Sequence, residues 1–202
     1  MKKFAKLIFR TFSIVNIVIA TFIFISCSSS KKYTKAEVVF WDGFKAEMLV
    51  LPNKNSYYSF IRSKYKTEDE KIKYLIPEEV ISVNGKDYTY VSMYFDEENF
   101  GMESYSFARI IAGDTTFALV ETKYQIKTCS CKSAGTFFKG IFLYASPSTY
   151  LKLKLDYKNN IYNRIEIAKF FKANSGIVPP DNINTLTDLI EYINSNPNLP
   201  KN

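Results

Sequence analysis

The side chains that could do covalent or metal chemistry are few in this sequence. Among its 202 residues there is no histidine, and the thiols are Cys27, Cys129 and Cys131. Without histidine, Ser-His-Asp and Cys-His nucleophiles and every His-ligated metal site are excluded. Cys129-Ser130-Cys131 puts two thiols at i and i+2, which share one face of a strand, so both sulfurs could meet one ligand or each other. A bridge over a single intervening residue is strained, and strained bridges are the labile, sometimes regulatory ones. The alternative is a pair of reduced, small hydrophobic residues. Structural zinc wants four ligands, so this pair names a redox pair and no metal or cofactor.

Carboxylates cluster at Glu68-Asp69-Glu70, Glu78-Glu79 and Asp96-Glu97-Glu98. Paired carboxylates hydrolyse glycosides or bind calcium. Here none has the Asp-x-Asp-x-Asp-Gly spacing of a calcium loop, and all fall where loops are expected, which suits solvated charge. There is no Gly-rich phosphate loop and no Gly-x-Ser-x-Gly elbow. The 15 tyrosines could furnish stacking platforms for sugars, although on strand faces they also serve ordinary sheet packing. No catalytic residue emerges, and the expectation leans away from an enzyme.

Cys27 has a different context. Lys2, Lys3, Lys6 and Arg10 make a positive flank, Phe12 to Ile25 is an apolar run broken only by Ser13, Asn16 and Thr21, and Ser26 is a small residue before the cysteine. That order is the signal-peptide pattern, and the run is short for a bilayer span. Phe24-Ile25-Ser26-Cys27 resembles the lipobox of bacterial lipoproteins, with phenylalanine where leucine is commoner. The resemblance implies a diacylglyceryl thioether on Cys27, cleavage before it, and acylation of the new amino terminus. Two or three acyl chains anchor stably where one does not. It divides the chain into a signal peptide (1–26) and a lipidated terminus with a polar Ser- and Lys-rich tether (27–35).

Cleavage also changes the charge. The chain carries +7, but four cations and no acid precede Cys27, leaving 23 basic and 20 acidic residues, a net +3. Such a balance carries no nucleic-acid footprint.

From Ala36 the texture turns to short apolar-aromatic runs cut by turn signals. Residues 36–41 and 44–51 flank Asp42-Gly43 as a hairpin. Tyr57 to Arg62 reads as a strand, and Lys71 to Ile76 as another that stops at Pro77. Ile81 to Val83 and Tyr88 to Val91 flank Asn84-Gly85, which suits the positive φ angles of a type I′ turn. Tyr105 to Ala112 and Thr115 to Lys127 lie around Gly113-Asp114, and Thr136 to Tyr144 and Thr149 to Asp156 around Ser146-Pro147-Ser148. Later, Ile161, Ile165, Ala168 and Phe171 or Lys172 trace a helical stripe that ends at Asn174-Ser175-Gly176. Thr185 is an N-cap with Asp188 in the first turn, and Leu186, Leu189, Ile190 and Ile193 follow at helical spacing. The fold expected is α+β: a mainly antiparallel β domain (36–158), barrel- or sandwich-like, then two C-terminal helices (159–202) packed on it.

Three segments, Trp41-Asp42-Gly43, Tyr74 to Val80 (Tyr-Leu-Ile-Pro-Glu-Glu-Val) and Gly85-Lys86-Asp87-Tyr88, resemble uncharacterised lipid-anchored proteins of the Bacteroidota. That resemblance implies a similar layout and no activity. Together these readings predict an envelope lipoprotein that binds or assembles with a partner, either an envelope protein or a glycan, and reaches the membrane through its lipid. The alternatives are a carboxylate-dependent, glycan-active enzyme and a cell-surface glycan-binding protein. Ser28 to Lys32 holds no acid, and in that group acids after the cysteine accompany surface export. Lys31, Lys32 and Lys35 would draw the tether to anionic lipid. The expectation is an outer-membrane protein facing the periplasm.

Overall fold

The computed structural model describes residues 33–52, 61–65, 73–96, 103–126, 136–196 and 199. Ten strands form one sheet: β1 (Thr34–Phe40), β2 (Lys45–Leu51), β3 (Ile61–Tyr65), β4 (Lys73–Leu75), β5 (Val80–Gly85), β6 (Thr89–Phe95), β7 (Ser104–Gly113), β8 (Ala118–Ile126), β9 (Thr136–Ser146) and β10 (Thr149–Lys152). Two helices follow, α1 (Arg164–Ser175) and α2 (Leu186–Ser195). The order across the sheet is β10-β9-β8-β7-β6-β5-β1-β2-β3-β4, and every neighbouring pair is antiparallel. The α+β class with a curled antiparallel sheet and two C-terminal helices is the one the sequence predicts.

The connectivity forces the curl. β4 lies at one edge, yet β5 pairs on the far side of β1. Crossing a flat sheet from β4 to β5 would span four strand spacings, about 19 Å. Leu75 and Val80 are five Cα steps apart, about 18 Å if fully extended. The connection is not extended, because the Glu79 N–H donates to the Ile76 carbonyl at 3.1 Å. The first strands must therefore roll over, and their core shows it. Val38, Met48, Val50, Ile61, Leu75, Val80, Val83, Tyr90 and Phe107, drawn from β1 to β7, form one buried cluster.

A second roll follows. The Tyr94 N–H of β6 donates to the Pro147 carbonyl in the β9–β10 turn at 2.9 Å, although two strands, β7 and β8, separate β6 from that hairpin in the sheet. Inside it lie Val91, Met93, Phe95, Ala108, Ala118, Val120, Phe142 and Tyr144. Phe95, Phe142 and Tyr150 meet there with ring centroids 5.5 to 5.8 Å apart. Small residues at Ala108 and Ala118 permit the close approach such curvature needs. The opposite face of β7 to β10 is covered by the helices, which bury Leu119, Leu143, Ile167, Phe171, Leu189 and Ile193.

The helices have local causes. α2 begins with a capping box: the Asp188 N–H donates to Thr185 Oγ1 at 3.2 Å and the Thr185 N–H to Asp188 Oδ2 at 2.8 Å. Two orphan amide donors are thereby satisfied. α1 ends at Gly176, whose φ of 67° closes the helix in the left-handed region, as its sequence predicts. Asn163 precedes α1 but does not cap it. Its amide instead accepts from the Lys154 N–H and donates to the Lys152 carbonyl, both at 2.9 Å, stitching the chain after β10 to the helix start.

Three local expectations need correction. Neither Asn84 nor Gly85 has a positive φ, and the turn lies two residues later, with the Gly85 N–H donating to the Tyr88 carbonyl at 2.9 Å. Gly85 is needed for a different reason: a Cβ there would come within 2.3 Å of the Tyr88 ring. The buried stripe of α1 is Ile167, Phe171 and Ser175, whereas Ile165 is 74% exposed. β10 stops at Lys152: the Leu153 N–H still donates to the Ile141 carbonyl of β9 at 2.9 Å, and from Lys154 the chain turns to the start of α1. The strand expected from Tyr57 is β3, beginning at Ile61; residues 57–60 lie outside the described residues.

Candidate functional site

A concavity of about 470 Å³ is assembled from turns and the ends of the elements beside them. It is lined by Trp41 after β1, Ile81 of β5, Thr115 and Thr116 of the β7–β8 turn, Tyr144, Ala145, Ser146, Pro147 and Thr149 of the β9–β10 hairpin, and Asn174 of α1. Each wall has a reason to be where it is.

Trp41 follows β1 directly and leaves the sheet at the Asp42-Gly43 turn. That turn is closed by Gly43 at a φ of 83° and by Asp42 Oδ1, which accepts from the Phe44 N–H at 2.9 Å. The Trp41 indole N–H donates to the Pro77 carbonyl and its backbone N–H to the Glu79 carbonyl, both at 3.2 Å. The ring is thus held at two points while 43% of the residue stays exposed. Thr115 and Thr116 lie in the β7–β8 turn, organised by Asp114. Its Oδ1 accepts from the Thr116 N–H at 2.8 Å, the Thr116 hydroxyl at 2.6 Å and the Phe117 N–H at 3.2 Å. This is the local Asp turn chemistry that competes with strand pairing and ends it.

Pro147 is fixed by the Tyr94 amide. Asn174, in the last turn of α1, donates its side-chain amide to the Phe170 carbonyl at 2.9 Å, so the side-chain oxygen is not used in that bond. The hydroxyls of Thr115, Ser146 and Thr149 have no side-chain partner among the described residues. Among the described residues no carboxylate and no cation lines the cleft. The one titratable group in this lining, the Tyr144 phenol, is pushed well above its ordinary value by burial and stays neutral.

Two other concavities differ in chemistry. A groove of about 350 Å³ beside α1 is lined by Ile161, Ile165, Ala168, Pro179 and Pro180, with Arg164 and Asp181 at its rim. A shallow one of about 370 Å³ lies on the outer face of β1 and β2 between charged side chains. There Lys35 pairs with Glu47 at 3.2 Å and Lys45 with Glu37 at 3.9 Å, all largely exposed. Such pairs keep a sheet face soluble and contribute little energy.

Cys27, Cys129 and Cys131 lie outside the described residues, as do Glu68-Asp69-Glu70 and Glu97-Glu98. Glu78 and Glu79 are exposed in the β4–β5 turn, and Asp96 ends β6 half-buried. Among the described residues no three acidic or cysteine side chains converge as a metal site would require. Sequence reasoning missed the cleft, because its lining comes from three separate turns together with β5 and the end of α1. The available signal was Trp41, the chain's single tryptophan, placed immediately before an Asp-Gly turn rather than inside a strand. Comparison with protein families, with curated proteins and with solved structures finds no match in any of the three.

Proposed function

We propose that this chain is a lipoprotein of the bacterial envelope, anchored through Cys27, whose β domain is a non-enzymatic binding or assembly module. The observation that carries the anchoring is the sequence of residues 1–27: a cationic flank, an apolar run and a small residue before a cysteine. The compact unit containing the strands and helices begins at Tyr33, six residues beyond Cys27. Six peptide steps span at most about 20 Å, so a lipidated Cys27 would keep the domain close to its membrane. Lys31 and Lys32 would be drawn to anionic headgroups, each by up to about 1 kcal/mol. This supports an outer-membrane protein facing the periplasm.

A binding role is supported by the cleft, whose walls offer an aromatic face, hydroxyls and an amide but, among the described residues, no carboxylate for acid-base work. The test is fractionation of cells expressing the full chain and its Cys27→Ser variant. The wild type should partition with membranes at its processed size, and the variant should accumulate as the longer precursor. A variant processed and retained like the wild type would refute the anchor. Protease treatment of intact cells carrying a C-terminal tag decides the face: a tag protected until the outer membrane is permeabilised supports the periplasmic placement, and a tag shaved from intact cells contradicts it.

A further inference from the structure

The geometry points to the Trp41 cleft as a binding site for a neutral oligosaccharide; this deepens the binding-module reading and rests on it. A sugar ring has an apolar C–H face and a rim of hydroxyls that both donate and accept. The cleft offers the counterpart of each. Trp41 gives a broad ring face, and because its indole N–H is already used by the Pro77 carbonyl, stacking is what it has left to offer. Its two backbone-directed bonds hold it in place, so ordering the ring costs little when a ligand arrives.

Around the ring, Thr115, Ser146 and Thr149 present hydroxyls without side-chain partners in the described structure, and Asn174 presents a carbonyl oxygen whose amide partner is tied back to α1. No internal side-chain bond of these groups has to break for a ligand to be received. Asp114, in the same turn as Thr115 and Thr116, does not line the cleft, and its Oδ1 is engaged by three donors of its own turn. An ionic ligand would leave water for a lining with no charge to meet it, which is costly. A purely apolar ligand would leave four polar groups of the lining unpaired. At about 470 Å³ the space falls in the range of small-ligand sites. Its walls are pinned by the Tyr94–Pro147, Trp41–Pro77 and Asp114–Thr116 bonds, so the cleft is formed in advance of the ligand.

Trp41 is also its own reporter, since the chain holds no other tryptophan. The full chain in mild detergent is titrated with maltohexaose, cellohexaose and laminarihexaose, with hexagalacturonate as the anionic contrast, while Trp41 emission is followed. At least one neutral hexasaccharide should give a saturable blue shift. By calorimetry, Trp41→Ala, Asn174→Ala and Thr115→Arg should each weaken that binding by roughly tenfold or more. Thr115→Arg changes an exposed turn residue and fills the cleft without touching the core, so it decides the matter if Trp41→Ala fails to fold. Absence of any saturable change with all three neutral sugars up to about 10 mM overturns the proposal. So does preference for hexagalacturonate, or binding that survives Thr115→Arg. Failure here with normal processing at Cys27 removes the ligand and leaves the anchor; normal titration with failed processing does the reverse.

Discussion

The two rolls of the sheet bury themselves in different ways. The first, β1 to β5, encloses one core and turns its other face to water. Along β1 and β2 the burial alternates, with Ala36, Val38, Met48 and Val50 inside and the Lys35, Glu37, Lys45 and Glu47 ladder outside. The second, β6 to β10, has its own interior on one side, and on the other α1 and α2 cover part of β7 to β10. Its strands accordingly lose the alternation: Phe117-Ala118-Leu119-Val120 and Phe142-Leu143-Tyr144 are buried without a break. A continuous apolar run marks a strand covered twice, and an alternating one a strand covered once.

The largest expected effect comes from removing a ring in the doubly covered half. Phe142→Ala, in the interior of the second roll, should lower stability by about 3–5 kcal/mol, while Met48→Ala in the first roll should cost nearer the lower end of about 2–5 kcal/mol. Urea denaturation of the full chain reads both. A single transition shifted by each variant supports one continuous sheet, and two separated transitions, with Met48→Ala moving only one, would break that account.

Two turn glycines sharpen the contrast. Gly43 and Gly113 both have positive φ, at 83° and 87°. Around Gly43 there is open space, but a Cβ on Gly113 would meet the Phe117 carbonyl oxygen at 2.3 Å and the Ile193 side chain at 3.2 Å. Gly43→Ala should therefore cost only the left-handed backbone term, about 1–2 kcal/mol. Gly113→Ala adds steric displacement beneath α2 and should cost about 1–3 kcal/mol more. Equal losses in thermal unfolding of the two variants would argue against the helical cover pressing on that turn.

The helical cover itself can be loosened at its cap. Thr185→Ala should cost about 1 kcal/mol. Asp188 accepts from the Thr185 and Asn184 amides, which hold its carboxyl below its ordinary value, with the Thr185 backbone bond the leading cause. A depressed carboxylate stabilises the fold in full above its unfolded value, near 3.9, and loses that contribution as the pH falls through the lower folded value. The stability gap between wild type and Asp188→Asn should thus be widest near neutrality and close under acid, which melting curves from pH 7 to pH 2 would show. The smallest effect belongs to the solvated ladder of the first roll: Glu37→Gln should change stability by about 0.5 kcal/mol or less, and added salt should shrink it further.

Much of this architecture was legible in the residues. Asp42-Gly43 and Gly113-Asp114 punctuate the hairpins because glycine there adopts positive φ and the aspartate bonds its own turn. Thr185 and Asp188 announced α2 for the same local reasons. Asn84-Gly85 misled, because its composition suits a type I′ turn while the glycine is required by the approach of Tyr88. Ile165 misled too: at helical spacing it looks inward, but the connector that carries Pro179 and Pro180 leaves it at the mouth of a groove. The pairing of β5 with β1, rather than with β4, and the cleft built from three turns, β5 and the end of α1 depend on contacts across the sheet that no local pattern encodes.

The most direct test of the account is the intact mass of the protein extracted from membranes. Anchoring through Cys27 predicts a chain that lacks residues 1–26 and carries a diacylglyceryl group on Cys27 and a further acyl chain on its amino group. A membrane-extracted chain that retains residues 1–26, or begins at Cys27 with no added lipid mass, would contradict it.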